Sequence, residues 1–325
     1  MDVLSQALTA TRTGSPISYQ LECHRPWGRT YPPLPGAGFH VILEGSAWLI
    51  PATGPPVPLS VGDVVLFPHG QEHAMADSPE TPLLPMPYVP AVTQEIEQVS
   101  TTVGPDGPGH ATTGTVMLCG MYRFVRERPH PLLAALPSMI HLPAQLGRHN
   151  RLRSTVELLA DELQQDRPGS HVAIAALIDL LLVHLLRTWY QQAPETGWAA
   201  AITDPTVSAA LDAIHTRPTQ HWSVDALGAL TGVSRAVFAR RFKHLVGQGP
   251  ATYLTWWRMT LASDLLRQTN APIAAVARHV GYTSEFAFAN AFKREFGAPP
   301  GRYRNHAVAN TEPDPSPAQH THPGP

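Results

Sequence analysis

The chain has 325 residues, enough for two domains that each bury a core. Its formal charge of −2 singles out no partner, and its two cysteines, Cys23 and Cys119, exclude a disulfide scaffold and fit a reducing cytoplasm. The opening residues MDVLSQALTATRTG contain no basic segment followed by an apolar run, so a signal peptide is not expected.

In the N-terminal part, glycine and proline cluster at residues 26–38, 51–58, 79–90 and 104–109. Between the clusters lie short runs rich in Val, Ile, Leu and aromatics, at 17–21, 39–43, 47–50, 63–67 and 115–122. Turns at that spacing predict a compact β-barrel or sandwich. The segments GFHVILEGSAWL and VPLSVGDVVLFPHGQEHAM resemble a cupin: Gly62, Asp63, Pro68, Gly70 and His73 carry its second element, and His40, Glu44 and Gly45 a reduced first one. MLCGMYRF, residues 117–124, resembles a further strand of that group. The resemblance covers residues 3–140 and implies a metal set of His40, His73 and Cys119, completed by Glu44 or His24. Imidazoles with a thiolate suit zinc or another divalent ion. His40 has Ile42 where a two-histidine motif needs its second ring, so an emptied or repurposed pocket stands beside the metal reading. Cys23 and Cys119 raise a redox reading. His24 and Arg25 beside Cys23 are expected to lower its pKa, while Cys119 in its apolar strand is expected to be buried.

Residues 152–164 and 170–190 read as two helices broken at Pro168 and Gly169. Leu158, Leu159 and Leu163 form one stripe, and Leu177, Leu181 and Leu185 another; both need a partner surface, and a homodimer is expected. The apolar stretch 172–190 is interrupted by Asp179, His184 and Arg187, which favours a buried helix over a membrane span. Residues 191–205 read as a linker.

Two similar units follow. In VDALGALTGVSRAVFARRFKHLVGQGPATYL a short helix ends near Thr231, Gly232 turns, and Ser234 caps a helix with Phe238, Phe242 and Leu245 on one face. In PIAAVARHVGYTSEFAFANAFKREFG the same order recurs: a short helix, Gly281, the cap Ser284, then Phe288, Phe292 and Phe296 on one face. Phe286 lies off that stripe, which leaves it unexplained. Residues 251–268 read as a connecting helix with Leu254, Trp257, Leu261 and Leu265 inward and Trp256 as core or rim. This duplication of a small helical unit says more than either copy. Residues 204–307 carry twelve Lys or Arg against six Asp or Glu, a formal +6, leaving eleven against nineteen, or −8, elsewhere. A basic module joined to an acidic one suits attraction to a nucleic-acid backbone.

These residues, among them Gly232, Ser234, Arg240, Phe242, Lys243, Pro250, Tyr253, Arg258, Gly281, Tyr282, Phe292, Lys293, Gly297 and Pro300, resemble the paired helix-turn-helix domain of AraC/XylS-type transcription regulators. The cupin-like part is similar to the sensor domain that precedes some of these domains. The expected architecture is therefore α+β with two domains. A cupin-like barrel fills 1–145 and a helical dimerisation and linker region 146–203. An all-α domain with two helix-turn-helix units fills 204–307, and a disordered tail 308–325. The resemblance implies double-stranded DNA as partner, contact with RNA polymerase, and a small-molecule, metal or redox effector. Ser234 and Ser284 begin the recognition helices. Arg235 and Ala236 in the first, and Thr283, Glu285 and Ala287 in the second, face base edges; Arg240, Lys243 and Lys293 face phosphates. The family usually has arginine where this chain has Asn290, so the first unit is expected to dominate specificity. No phosphate-cradling loop, Gly-x-Ser-x-Gly elbow, Cys-x-x-Cys pair or His-Glu-x-x-His helix is present, and an enzyme is not expected. The alternatives are a cupin-type metalloenzyme with a DNA-binding appendage and a structural DNA-binding protein without a sensor.

Overall fold

A computed structural model describes residues 3–11, 16–86, 101–103, 114–122, 130–144, 149–165, 167–192 and 197–309. The tail expected at 308–325 lies almost wholly outside them. Two compact units emerge, one over residues 7–200 and one from residue 201 onward that takes in the first six residues.

The first unit opens with α1 (Val3–Thr11), which runs across the division, and continues into β1 (Ile17–Cys23), β2 (Gly28–Tyr31), β3 (Ala37–Glu44), β4 (Ser46–Pro51), β5 (Val57–Ser60), β6 (Val64–Phe67), β7 (His73–Ala76), β8 (Leu84–Pro85), β9 (Thr101–Val103) and β10 (Thr115–Tyr122). Then come α2 (Pro131–Ala134), β11 (Ile140–Leu142), α3 (Asn150–Gln164), α4 (Ser170–Gln192) and α5 (Gly197–Thr203), which also runs across the division. The strands form two sheets, ordered β11-β6-β3-β10-β1-β9 and β5-β4-β7-β2-β8. Among the described residues no ladder joins the sheets, so the expected barrel is realised as two facing sheets. Alternation along the strands sends Leu21, Cys23, Ile42, Val65, Phe67, Met117 and Cys119 into the space between them, where they meet Tyr31, Leu49, Leu59 and Met75 of the second sheet.

The six-stranded sheet is buried on its other face as well, where Phe39 packs on Tyr122 and Val41, Val64 and Leu66 are covered. The Tyr122 hydroxyl donates to the Ile178 carbonyl at 2.6 Å, which fixes α4 over that face. By length and composition α4 is apolar enough to cross a membrane. Its Ile174, Ile178, Leu181, Leu182, Leu185 and Leu186 are buried within this chain. The expected dimer stripe is therefore corrected: Leu181 and Leu185 already have their partner, and the large apolar side chains left exposed among the described residues of the hairpin are Leu158, Val172 and Leu180. At the β5–β6 turn, the Asp63 carboxylate accepts from Ser60 N, Ala144 N and His141 Nε2. Burial alone would raise its pKa, but these bonds outweigh it and hold the carboxyl below its usual range. Asp63 thus staples the turn to the segment leading into α3.

The second unit contains seven helices from residue 205 on: α6 (Pro205–Thr216), α7 (Val224–Leu230), α8 (Arg235–Val246), α9 (Pro250–Gln268), α10 (Ile273–His279), α11 (Glu285–Phe296) and α12 (Pro300–Ala309). Both turn-separated helix pairs form as expected. Phe238, Phe242, Phe288 and Phe292 are fully buried, and each contributes about 2 kcal/mol by leaving water. α9 is buried more widely than its predicted stripe. Tyr253, Trp256, Met259 and Ala262 are also covered, because this helix lies between both pairs; Trp256 is core.

Both turning glycines adopt left-handed φ, +72° at Gly232 and +84° at Gly281. They differ in surroundings. A Cβ at Gly232 would meet open space, whereas one at Gly281 would lie 2.8 Å from Thr219 Cα and 2.9 Å from Arg258 Nη2. Gly232→Ala is expected to cost about 1 kcal/mol for the left-handed backbone alone. Gly281→Ala should cost roughly 3 kcal/mol, since strain and overlap add. Denaturant titration of the two variants checks the order; equal losses would contradict it.

Candidate DNA-binding surface and sensor interior

The two recognition helices begin alike. Ser234 Oγ accepts from Val237 N at 3.5 Å and Ser284 Oγ from Ala287 N at 3.3 Å. Each cap leaves neighbouring N–H groups pointing outward, a partial positive end suited to phosphate. Residues 234–237 and 283–287 are exposed, so Ser234, Arg235, Ala236, Thr283, Ser284, Glu285 and Ala287 all reach solvent. With Phe238, Phe242 and Leu245 turned inward, helical spacing places Ala236, Arg240 and Lys243 on the outer face of α8. The outer face of α11 carries Phe286, Asn290 and Lys293. Phe286, which lies off the apolar stripe of α11, is 77% exposed.

Neighbouring charges divide the arginines. Arg235 Nη1 meets Asp225 Oδ2 at 3.1 Å, but both side chains are exposed, so water and salt weaken this pair and leave Arg235 able to exchange it. Arg241 Nε donates to Asp204 Oδ2 at 2.7 Å, and Asp204 also caps α6 by accepting from Thr206 N and Val207 N. Arg241 therefore ties α8 to α6. Arg240 and Lys243 remain on the open face.

The spacing between the recognition helices depends on α9 and Arg258. Nineteen helical residues span on the order of 28 Å, close to the roughly 34 Å between successive major grooves on one face of DNA. From the middle of α9, Arg258 donates through Nε to the Pro218 carbonyl at 2.7 Å and through Nη2 to the Gln220 carbonyl at 3.0 Å. The guanidinium carbon also lies 5.8 Å from the centre of the Tyr282 ring. One side chain thus fastens the loop before α7 and the turn before α11 to the same helix.

Between the sheets of the first unit, the structure brings His40, His73 and Cys119 together. The Gln71 carbonyl can only accept, so His73 Nδ1 carries a hydrogen and donates to it at 2.9 Å. Burial lowers the His73 pKa to about 4, so the ring is neutral near pH 7 and its Nε2 is an acceptor. His40 Nε2 lies 2.7 Å away and must donate. His40 Nδ1 is then an acceptor, for the Cys119 S–H at 2.9 Å. The result is a directional chain from thiol through two neutral imidazoles to a backbone carbonyl. Tyr31 and Phe67 both stack on His73, and the Tyr31 hydroxyl lies beside the Cys119 sulfur without a well-formed hydrogen bond. Sequence spacing contained no sign of Gln71, Tyr31 or Phe67 in this site.

The donors lie in a row and do not converge. His40 uses its two nitrogens in opposite directions, one toward Cys119 and one toward His73, so one ion cannot take all three groups as they stand. Among the described residues no three His, Cys, Asp or Glu side chains are placed to hold a metal. Glu44 and His24 lie instead with Glu22 and Cys23 around a separate cleft of about 230 Å³. The expected lowering of the Cys23 pKa is reversed, because burial pushes its thiol up to about 12 against a smaller opposing pull from Arg29. Burial also drives Cys119 well above the thiol range. Cys23 pairs with Thr115 and Tyr19 with Cys119, so the two cysteines are four residues apart in register, roughly 13 Å. A disulfide between them would require the strands to move.

The buried imidazoles make acid costly. Above pH 6.5 the His73 ring is neutral folded or unfolded, and its full contribution is present. As pH falls from 6.5 toward 4 the unfolded chain takes up a proton that the folded ring refuses, and stability drops. His40, lowered further by burial and by His73, acts in the same direction. The thermal midpoint of the first unit should fall across this window. His73→Gln, which can still accept from His40, should show a shallower fall; an unchanged slope would contradict the assignment.

A cupin family model matches residues 2–191 and a helix-turn-helix domain model residues 227–306. A protein of Streptomyces lividans named as an AraC-like transcription regulator is 33% identical over 311 residues, covering 94% of this chain and 99% of that protein. The RCS-specific HTH-type transcriptional activator RclR of Escherichia coli is 26% identical over 313 residues, covering 94% and 97%. Among solved structures, the DNA-binding domain of AdpA in complex with a target DNA is 30% identical, covers 33% of this chain and 96% of that one, and has a TM-score of 0.32. With its cupin-like domain, its two helix-turn-helix units and this full-length similarity, the chain belongs to the AraC-like family of DNA-binding transcription regulators.

Proposed function

We propose that this regulator binds its operator with both helix-turn-helix units and is controlled by a chemical signal received in its cupin-like domain. The observation that carries the reading is the pair of serine-capped helices held on a single α9 by Arg258. In this reading Arg235 contacts a guanine edge and Glu285 accepts from a cytosine N4, while Ser234, Arg240, Lys243, Ser284 and Lys293 hold phosphates. The protein acts in the cytoplasm, contacts RNA polymerase and catalyses no reaction. The relatives' names as regulators favour this over a metalloenzyme, as does the row of His40, His73 and Cys119, which does not converge on one point.

The signal is received along the Cys119–His40–His73 chain. Any agent that modifies the Cys119 thiol breaks its bond to His40 and so disturbs the whole row, which favours an oxidant or a small molecule over a metal held by all three groups.

Titration of the full-length protein on operator libraries at two salt concentrations tests these assignments. Arg235→Ala should relax preference at one or two positions. Arg240→Ala or Lys243→Ala should weaken binding across all sequences and lower the salt slope by about 0.9. After a mild two-electron oxidant, wild-type affinity should change and that of Cys119→Ser should not. If Arg235→Ala leaves every base preference intact, or Cys119→Ser responds like wild type, the corresponding role is wrong.

We further propose a homodimer through the exposed side chains of the α3–α4 hairpin. Val172 and Leu180, two turns apart, share one side of α4, and Leu158 is exposed on α3. Leu158→Glu with Leu180→Glu should yield a folded monomer in sedimentation, whereas Leu181→Glu should unfold the unit by burying an unpaired charge. A wild-type monomer at tens of micromolar, with and without DNA, would contradict the dimer.

A further inference from the structure

Phe286 is the most exposed large apolar side chain among the described residues, at 77%. Water opposes leaving a phenyl ring there, and nothing in the packing of α11 calls for it. The helix already buries Phe288, Ala291 and Phe292 on its inner side. Residues 286, 290 and 293 follow i, i+4, i+7 spacing on the opposite side, so the ring stands at the N-terminal end of the outermost stripe. That end of a recognition helix is the part that meets base edges in the major groove.

The two units differ at this stripe. Counted from the capping serines, Ala236 and Arg240 of α8 correspond to Phe286 and Asn290 of α11. The second unit has lost a long cation and gained a ring. Exposed Arg278 lies at the end of α10, and exposed Lys293 and Arg294 lie two turns further along α11. Glu285 beside the ring disfavours close approach to phosphate. An apolar tip on a surface that also carries Arg278, Lys293 and Arg294 matches a polyanion with an apolar feature, and in the major groove that feature is the 5-methyl group of thymine.

We propose that Phe286 is a specificity-determining residue that packs on a thymine methyl, so that the second unit reads sequence and is more than a phosphate anchor. The inference rests on the reading of α11 as a DNA-recognition helix. In vitro selection with the full-length protein provides the site, and each thymine of its second half is then replaced singly by deoxyuridine, which removes only the methyl. One such replacement should weaken wild type about fourfold, the value of one buried methyl group. Phe286→Ala should bind the thymine and uracil sites equally, keep the wild-type salt slope and melting temperature, and select a motif without that thymine. Phe286→Leu should retain part of the discrimination. Wild-type indifference to every uracil replacement within a clear motif overturns this inference alone. So does unchanged DNA selectivity in Phe286→Ala combined with lost activation by RNA polymerase, which would make the ring a protein contact. Selection of no second half-site by wild type overturns the underlying reading of α11 as well.

Discussion

The arrangement of the DNA-binding unit depends on a half-buried cation in the middle of a helix. Arg258 finds two carbonyl acceptors in the loop before α7 and lies against Tyr282 in the turn before α11. Charged hydrogen bonds of this kind are stronger than neutral ones, and a planar guanidinium fixes direction as well as distance. Gly281 is the counterpart, since a side chain there would occupy the guanidinium's place. Packing of Phe238 and Phe242 in one unit and Phe288 and Phe292 in the other builds each helix pair. The pairs become one reading head only because the same α9 is fastened to both. Their outer faces are then free to diverge, cationic at Arg240 and partly apolar at Phe286.

The cupin-like unit has the opposite character. Its defining feature is polar chemistry enclosed by apolar walls. Neutral imidazoles are tolerated there because every ring nitrogen has a partner, as buried polar groups require. The chain holds its members in their uncharged forms, and any agent that changes one member, by taking the thiol proton or charging a ring, disturbs the bonds of the next. α4 covers the far face of the same six-stranded sheet, so β3 and β10 lie between that interior and the helical hairpin.

Much of this was legible in the sequence because it follows from periodicity. The apolar spacing, the capping serines and the turning glycines located five of the seven helices of the second unit, α7 to α11, within a few residues, and left α6 and α12 unplaced. Strands with continuous apolar runs, β3 and β10 among them, were equally plain. The shorter strands were hidden by their composition. β5 carries Pro58, which is admitted because the strand lies at a sheet edge, and β2 sits within a proline and glycine cluster. The leucine stripe at 177–185 was read correctly as apolar but assigned the wrong partner, because periodicity reveals a face and not what covers it. His40, His73 and Cys119 were identified as neighbours by resemblance. Their arrangement as a row was invisible, since it depends on which ring nitrogen faces which group and on the Gln71 carbonyl.

The central claim is that one chain places two recognition helices in successive major grooves. Hydroxyl-radical footprinting of the full-length protein on its selected genomic sites measures this directly. The account predicts, for each bound DNA-binding unit, two protected segments on one face of the duplex, centred about ten base pairs apart. A single protected segment per unit, or uniform protection without a phase, would contradict it.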